Sequence, residues 1–248
     1  MITKTIESAS SGYCRSCGKT HSIKQGKAKE YCFELMKTLE EKGRIDFHVP
    51  EQQADPRLYL DYLLGEARGQ MFGVLECMDL DGHPVMLKAF SGQYNAVWNV
   101  EGWVPPLLDT GKFESLVCDV DKQIKALGSR INGMSEGVEK RELTYRRKTM
   151  SQNLMKEIHA LYHVHNFRSE VRSIFELFTN GIPTGAGDCC APKLLNAAAK
   201  QKLTPTSLAE FFWGKENRSG TRRQGRFYTA CPEKCQPILG FMLCGIER

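Results

Sequence analysis

The spacing of apolar residues changes from helical to strand-like within the first ninety positions. Over residues 29–43 apolar side chains recur every three or four positions, which predicts a helix, and Gly43 suits its end. Asp55-Pro56 can start a second helix, which we predict over 58–68. Residues 71–91 contain two apolar runs around an Asp-Gly pair, a pattern that predicts a β-hairpin.

The rest of the chain returns to helical spacing and then alternates helix and strand. A loop rich in Trp and Pro is expected to be anchored in the core by Trp98 and Trp103. A helix over about 113–127 and a longer one over 142–164 are predicted on either side of a Gly, Ser and Asn-rich segment. Three further elements follow: a helix over 187–200, a strand over 207–213 and a helix over 231–243. This order predicts a mixed α/β fold of the α+β type.

Length and composition allow a sizeable core and exclude a membrane-spanning protein. We divide the 248 residues into a unit over 1–48 and a domain over 55–248 with a helical insertion at about 112–172. The net charge of +5 permits an anionic partner without requiring one. The chain has no apolar run of membrane-spanning length and no apolar segment typical of a signal peptide, so a cytoplasmic location is expected.

The chain has ten cysteines, which in a reducing compartment point to metal binding rather than disulfides. Cys14 and Cys17 have the spacing that lets two thiolates reach one ion, and Gly18 suits the turn that follows. With His21 and Cys32 they would form a closed tetrahedral zinc site, a small N-terminal zinc knuckle. The alternative for Cys32 is a core position, because it lies on the apolar side of its helix.

Several other cysteines and histidines carry weaker signals. Cys77, Cys118 and Cys244 each stand alone in an apolar pattern and are expected to be small buried hydrophobic residues. His159 and His163 lie one helical turn apart and could share a metal. Because no third ligand is evident beside them, a core or surface role is the favoured interpretation.

A second cysteine cluster is predicted near the C-terminus. Cys189 and Cys190 lie at the start of one predicted helix, and Cys231 and Cys235 at the start of another. A helix N-terminus favours the thiolate form that binds metal. We therefore predict a zinc site formed by Cys189, Cys231 and Cys235, and leave open whether Cys190 replaces Cys189.

The element order, with one ligand at one helix start and two at another, is similar to that of cytidine-deaminase-like zinc enzymes. The resemblance implies a sheet-and-helix core built around a catalytic zinc. Those enzymes place a proton-carrying carboxylate two residues after the first ligand, where this chain has Ala191. Asp188 is the only carboxylate nearby in this segment and is the candidate for that role. The three residues between Cys231 and Cys235 also exceed the family's usual two.

A tighter resemblance covers roughly residues 69–245. The segments GAGDCCAPKLL, LAEFFWG and RFYTACPEKC are similar to an extension that precedes the catalytic domain in certain RluA-type pseudouridine synthases. The matching positions are Asp188, Cys189, Ala191, Pro192, Lys193, Glu210, Trp213, Tyr228, Cys231 and Cys235. The synthases' His-Arg-Leu-Asp motif is absent from this chain, so pseudouridine synthase activity is not expected.

The resemblance to an RNA-modifying enzyme suggests RNA as a partner. The candidate contacts are Arg218, Arg222, Arg223 and Arg226, which lie beside Phe227 and Tyr228. A solvated basic loop is the alternative. The leading hypothesis is therefore a zinc-binding protein related to RNA modification. The alternatives are a zinc-dependent nucleobase or nucleotide deaminase or hydrolase, and a protein whose cysteine clusters only stabilise the fold.

Overall fold

The computed structural model describes residues 8–247 and has a mixed α+β fold. The helices are α1 (Ala28–Lys42), α2 (Asp61–Leu64), α3 (Thr110–Asn132), α4 (Val138–Ala160), α5 (Cys190–Lys200) and α6 (Gln236–Met242). The strands are β1 (Ala9–Cys14), β2 (Lys19–Lys24), β3 (Gln70–Met78), β4 (Pro84–Phe90), β5 (His163–His165), β6 (Val171–Ser173), β7 (Thr204–Trp213) and β8 (Phe227–Tyr228). Single 3-10 turns lie at Glu51–Gln53, Pro56–Leu58 and Ile174–Glu176.

The central sheet has four antiparallel strands in the order β4-β3-β7-β8. Strand β3 is buried along most of its length because it pairs with β4 on one side and β7 on the other. Gly73 lies opposite Glu210 in this pairing. A side chain at Gly73 would collide with Cys190 of α5, so the glycine lets that helix approach the sheet closely.

Two hydrophobic cores lie on opposite faces of this sheet. One face packs against α5 and α6 through residues such as Leu75 and Leu208. The other face packs against α1 and Trp103. On this face Phe72 of β3 contacts both Trp103 and Phe211 of β7. The alternation of β7 side chains between these cores follows from the two-residue period of a strand.

The N-terminal hairpin β1–β2 lies against α6, near the opposite end of the chain. Gly12 and Gly240 make this approach possible, because a methyl group on either one would collide with the backbone of the other element. The Ser10 hydroxyl also accepts a hydrogen bond from the Ala230 N–H, at 3.1 Å. Residues 8–24 therefore pack directly against a segment that the sequence analysis assigned to a different unit.

Helices α3 and α4 form a long helical hairpin with few buried side chains. The Arg130 guanidinium and the Glu139 carboxylate, 2.7 Å apart, bridge the turn between them. The hairpin contacts the rest of the molecule through the end of α4, near His159, and through Phe113 at the start of α3. Among residues 8–247, no helix combines the length and apolar character that crossing a membrane requires.

Three predicted elements differ from the structure. The helix expected over 58–68 is reduced to α2 (Asp61–Leu64), preceded by a 3-10 turn, because Tyr59 is held in a bridge to Arg44. The helix expected over 142–164 ends at Ala160, and residues 163–165 form strand β5 instead. The last helix begins at Gln236 rather than 231, so Cys231 lies in a turn before it.

Candidate metal centres

Four potential ligands from both ends of the chain converge at the tip of the β1–β2 hairpin. The Sγ atoms of Cys14, Cys17 and Cys244 and a ring nitrogen of His21 all lie within 4.8 Å of one another. Cys14 ends β1, the tight turn through Gly18 returns the chain, and β2 carries His21. This group, which we call the tetrad, could hold a metal ion.

The tetrad is largely enclosed. Cys14, His21 and Cys244 are buried, and Cys17 is half-buried. The Cys17 thiol lies 3.1 Å from Nε2 of His21. Burial opposes ionisation of Cys14, but the Cys17 backbone N–H and thiol outweigh it and lower the pKa of Cys14. The Arg168 guanidinium, 3.2 Å from the Cys244 Sγ, supplies a positive charge beside this cluster of potential thiolates.

Cys244 replaces Cys32 as the fourth member of this group, which corrects the sequence analysis. Cys32 is fully buried in α1, and its thiol faces the Ala209 carbonyl of β7 at 3.5 Å. Burial raises its pKa well above the usual range, so this thiol suits a core position. Cys244 was predicted to be only a small buried hydrophobic residue. Instead, the packing of α6 on β1 brings its Sγ to the other three potential ligands.

Three cysteines form a second cluster, which we call the triad. The Sγ atoms of Cys189, Cys231 and Cys235 lie within 4.8 Å of one another, and this group could also hold a metal ion. Those of Cys231 and Cys235 are 3.5 Å apart, well beyond the ~2.05 Å of a disulfide. Hydrogen bonds from Cys189 and Cys235 lower the pKa of Cys231, which favours a thiolate in the triad.

The triad contains Cys189 rather than Cys190. Cys189 is the N-cap of α5, with extended backbone angles that turn its side chain toward Cys231 and Cys235. Cys190, the first helical residue, is fully buried, and its thiol faces the Met71 carbonyl at 3.3 Å. Burial raises the pKa of Cys190 well above its usual value.

A buried carboxylate to which the sequence analysis gave no chemical role lies near the triad. Glu210 on β7 is 4% exposed and accepts a hydrogen bond from the Ala191 N–H at 3.0 Å. Burial raises its pKa to about 7, and a negative charge on Cys231 adds to this effect. The available signal in the sequence was an acidic residue inside an otherwise apolar strand.

Asp188, the carboxylate proposed for proton transfer, directly precedes Cys189. Its Oδ1 accepts a 2.6 Å hydrogen bond from the Tyr162 hydroxyl. Burial raises the pKa of Asp188, while the Tyr162 hydroxyl and then Lys193 and Lys234 oppose that shift. Gly187 adopts φ +93°, and a side chain there would collide with the Tyr162 ring, so the glycine permits this contact.

The arginine-rich loop lies next to β8. Arg222 stacks on the Tyr228 ring, with its guanidinium carbon 4.1 Å from the ring centre. Arg223 pairs with Glu216 at 3.1 Å, which neutralises part of the loop's charge. Arg218 and Arg226 are exposed. The loop therefore presents accessible positive charge beside aromatic rings.

The remaining candidates have structural explanations. Asp79, Asp81 and His83 also approach one another, but Asp79 Oδ1 accepts backbone hydrogen bonds from the other two within the β3–β4 turn. Cys77 is buried as expected, whereas Cys118 is exposed on α3, where few residues of that helix contact a core. This exposure corrects the core position predicted for Cys118.

The protein thus belongs to the mixed α+β class and has two cysteine-rich clusters, the tetrad and the triad, that could hold metal ions. No protein-family model, curated protein or solved structure matches the chain.

Proposed function

We propose that this protein binds two zinc ions and serves RNA modification without itself forming pseudouridine. The observation that carries the proposal is that potential zinc ligands converge in two separate groups. Within each group the ligand atoms lie within 4.8 Å of one another. Cysteine thiolates with imidazole are the ligands that zinc takes in structural sites. The link to RNA rests on the resemblance to the synthase extension and on the basic loop.

The tetrad supports a structural role for its zinc. Three thiolates and one imidazole complete a tetrahedral shell, so no position remains for water or substrate. Its ligands come from the β1–β2 hairpin and from Cys244 after α6, two segments that are far apart in sequence. A metal there would fix the N-terminal hairpin to α6, and its binding free energy would contribute to folding.

The triad supports a second candidate function, a zinc-dependent nucleobase or nucleotide deaminase or hydrolase. Zinc held by three protein ligands has a fourth position for a water molecule and makes that water more acidic. The specific observation in favour is the buried carboxylate of Glu210, which accepts a hydrogen bond from the Ala191 N–H. Ala191 occupies the position where the deaminases have their carboxylate, so Glu210 would supply the missing group. Glu210 would accept the proton of the attacking water and return it to the departing amine.

The strand order also fits a deaminase-like core. In the sheet the first strand of the hairpin, β3, lies between its partner β4 and the later strand β7, to which it is antiparallel. Helix α5, with Cys189 at its start, packs on this sheet. These features support the deaminase-like interpretation together with the ligand pattern.

Elemental analysis of the purified protein tests the metal assignment. We expect two zinc ions per chain, falling to one in Cys231→Ser and remaining at two in Cys118→Ser, whose thiol lies on the exposed face of α3. A wild-type value of one or zero, unchanged by Cys231→Ser, would remove the triad as a metal site.

Two assays separate the functional candidates. RNA binding should weaken as salt rises and decrease in an Arg218→Ala, Arg226→Ala double variant, since phosphate contacts release counterions. Release of ammonia from bases or nucleosides would establish deaminase activity instead, provided that Glu210→Gln abolishes it while zinc is retained. Loss of that activity in Asp188→Asn but not in Glu210→Gln would assign the proton carrier to Asp188.

A further inference from the structure

A cavity of about 340 Å³ lies between the helical hairpin, the loop that carries Trp98 and the loop that precedes α5. Its lining is mainly apolar and includes the rings of Trp98, Phe113, His159 and Tyr162. Its polar groups include Gln93 and the Asp188 carboxylate. The volume falls at the small end of the ~300–1,000 Å³ typical of ligand sites, so a small ligand fits best.

Two side chains that line the cavity each contain a buried nitrogen atom without a hydrogen-bond partner. Within residues 8–247, the Trp98 indole Nε1 and His159 Nε2 are the buried side-chain nitrogen or oxygen atoms that lack a partner. Both side chains are more than nine-tenths buried. An unsatisfied buried polar group is destabilising and is uncommon in native proteins. Two such groups on the walls of one cavity indicate a ligand that supplies the partners.

The lining selects for a flat ring with polar edges. Trp98 and Phe113 meet edge to face, with ring centres 5.3 Å apart, and offer apolar surfaces to an aromatic ligand. The Trp98 N–H requires a hydrogen-bond acceptor, and Asp188 accepts from a donor. Burial lowers the pKa of His159, so its imidazole is neutral and can accept or donate through Nε2.

An organic cation fits this cavity less well than a neutral ring. Aromatic walls with a carboxylate are typical of cation sites. The negative charge of Asp188, however, is opposed by the ammonium groups of Lys193 and Lys234 nearby. The indole N–H would also point its positive end at a cation.

We propose that this cavity binds a single planar heteroaromatic ring of the nucleobase class, held by Trp98, His159 and Asp188. Because solvent reaches neither orphan nitrogen, binding requires a small rotation of the Trp98 and His159 rings, a side-chain change common on binding. The ring can come from a free nucleoside or from an unstacked nucleotide in single-stranded RNA. The site uses none of the metal ligands and none of the basic loop, but it shares Asp188 with the deaminase alternative and so names a binding place for the base in that function.

Nuclear magnetic resonance of the zinc-loaded full chain tests the site directly. Free nucleosides are titrated in one series and short single-stranded RNA oligomers in another, while the indole N–H signals of all three tryptophans are followed. We expect the Trp98 signal to shift and the Trp103 signal to stay, because the Trp103 N–H is already bonded to the Ile45 carbonyl. Nucleoside binding identifies a free ligand as a source, and binding of RNA alone identifies an unstacked base.

A matched pair of variants sharpens the test. Trp98→Phe keeps an aromatic wall but removes the N–H, so affinity should fall about tenfold, the effect of one lost hydrogen bond of ~1.4 kcal/mol. Trp103→Phe makes the same change on the opposite face of the sheet and should leave affinity unchanged. His159→Leu should weaken binding while keeping or raising the melting temperature, because it removes an unsatisfied nitrogen. A histidine needed only for the fold would show the opposite, an unchanged affinity and a lower melting temperature.

Either of two results would overturn the proposal. One is a Trp98 indole signal that stays fixed with both nucleosides and RNA at millimolar concentration. The other is binding of equal strength in wild type, Trp98→Phe and His159→Leu, which would place the ligand elsewhere. Both results are independent of the zinc measurement, so failure here leaves the metal assignment intact.

Discussion

The tetrad and the triad have similar ligands but different surroundings. The tetrad joins Cys14, Cys17 and His21 to Cys244 and so has four potential ligands. The triad has three potential ligands; Asp188 directly precedes Cys189, and the buried Glu210 accepts a hydrogen bond from the N–H of Ala191, two residues after Cys189. A complete shell that links distant segments suits stabilisation, whereas an incomplete shell beside carboxylates suits chemistry.

The largest expected effect comes from breaking the tetrad. Cys244→Ser removes one donor from a shell that fastens the N-terminal hairpin to α6. The free energy of unfolding should fall by on the order of 4 kcal/mol, as expected when a structural metal is lost. Urea unfolding of the zinc-loaded protein measures the change. Cys118→Ser is the control, and an equal loss in that variant would contradict the assignment.

Breaking the triad should affect stability less. Cys231 is half-buried in the turn before α6, and the core formed with α5 continues to hold that helix. Cys231→Ser should therefore lower the unfolding free energy by only about 1–2 kcal/mol. If the same urea titration gave a larger loss than Cys244→Ser, the roles assigned to the two clusters would have to be exchanged.

Replacements of Glu210 separate its hydrogen bond from its charge. Glu210→Gln keeps an acceptor for the Ala191 N–H and removes a buried acid, so stability should change by less than ~1 kcal/mol. Glu210→Leu leaves that N–H unpaired and should cost about 1–3 kcal/mol. Equal stability of the two variants, measured by thermal unfolding, would show that the hydrogen bond to α5 contributes nothing.

The smallest effect concerns pH and His159, a buried histidine outside the cysteine-rich clusters. Burial lowers the pKa of His159 below its ordinary 6.5, so protonation is easier in the unfolded chain. The stability that depends on neutral His159 is fully present above the unfolded pKa of 6.5. It is lost as pH falls from there through the lowered pKa of the folded state. Wild type should lose more stability than His159→Leu between about pH 7 and 5. Parallel pH profiles would show that His159 does not titrate differently on folding.

The sequence predicted much of the fold because its signals were local. The helical period over residues 29–43 corresponds to α1, and the Asp-Gly pair corresponds to the β3–β4 turn. The mixed α+β class is confirmed. The expected helix over 58–68 was wrong, because tertiary pairing of Tyr59 with Arg44 overrides the local helical pattern.

The sites were harder to predict because they depend on distant packing. Cys14, Cys17 and His21 are close in sequence, and their spacing indicated a shared ligand group. Cys244 joins them only because Gly12 and Gly240 let β1 and α6 approach, which no local pattern reveals. Glu210 reaches the triad through the register of the central sheet.

Native mass spectrometry of Cys244→Ser and Cys32→Ser tests the central claim most directly, that the first zinc site joins the two ends of the chain. Both variants remove one buried thiol, but only Cys244 belongs to the tetrad. We predict two zinc ions per chain in wild type and Cys32→Ser, and one in Cys244→Ser. Loss of a zinc in Cys32→Ser with both retained in Cys244→Ser would contradict this account of the tetrad.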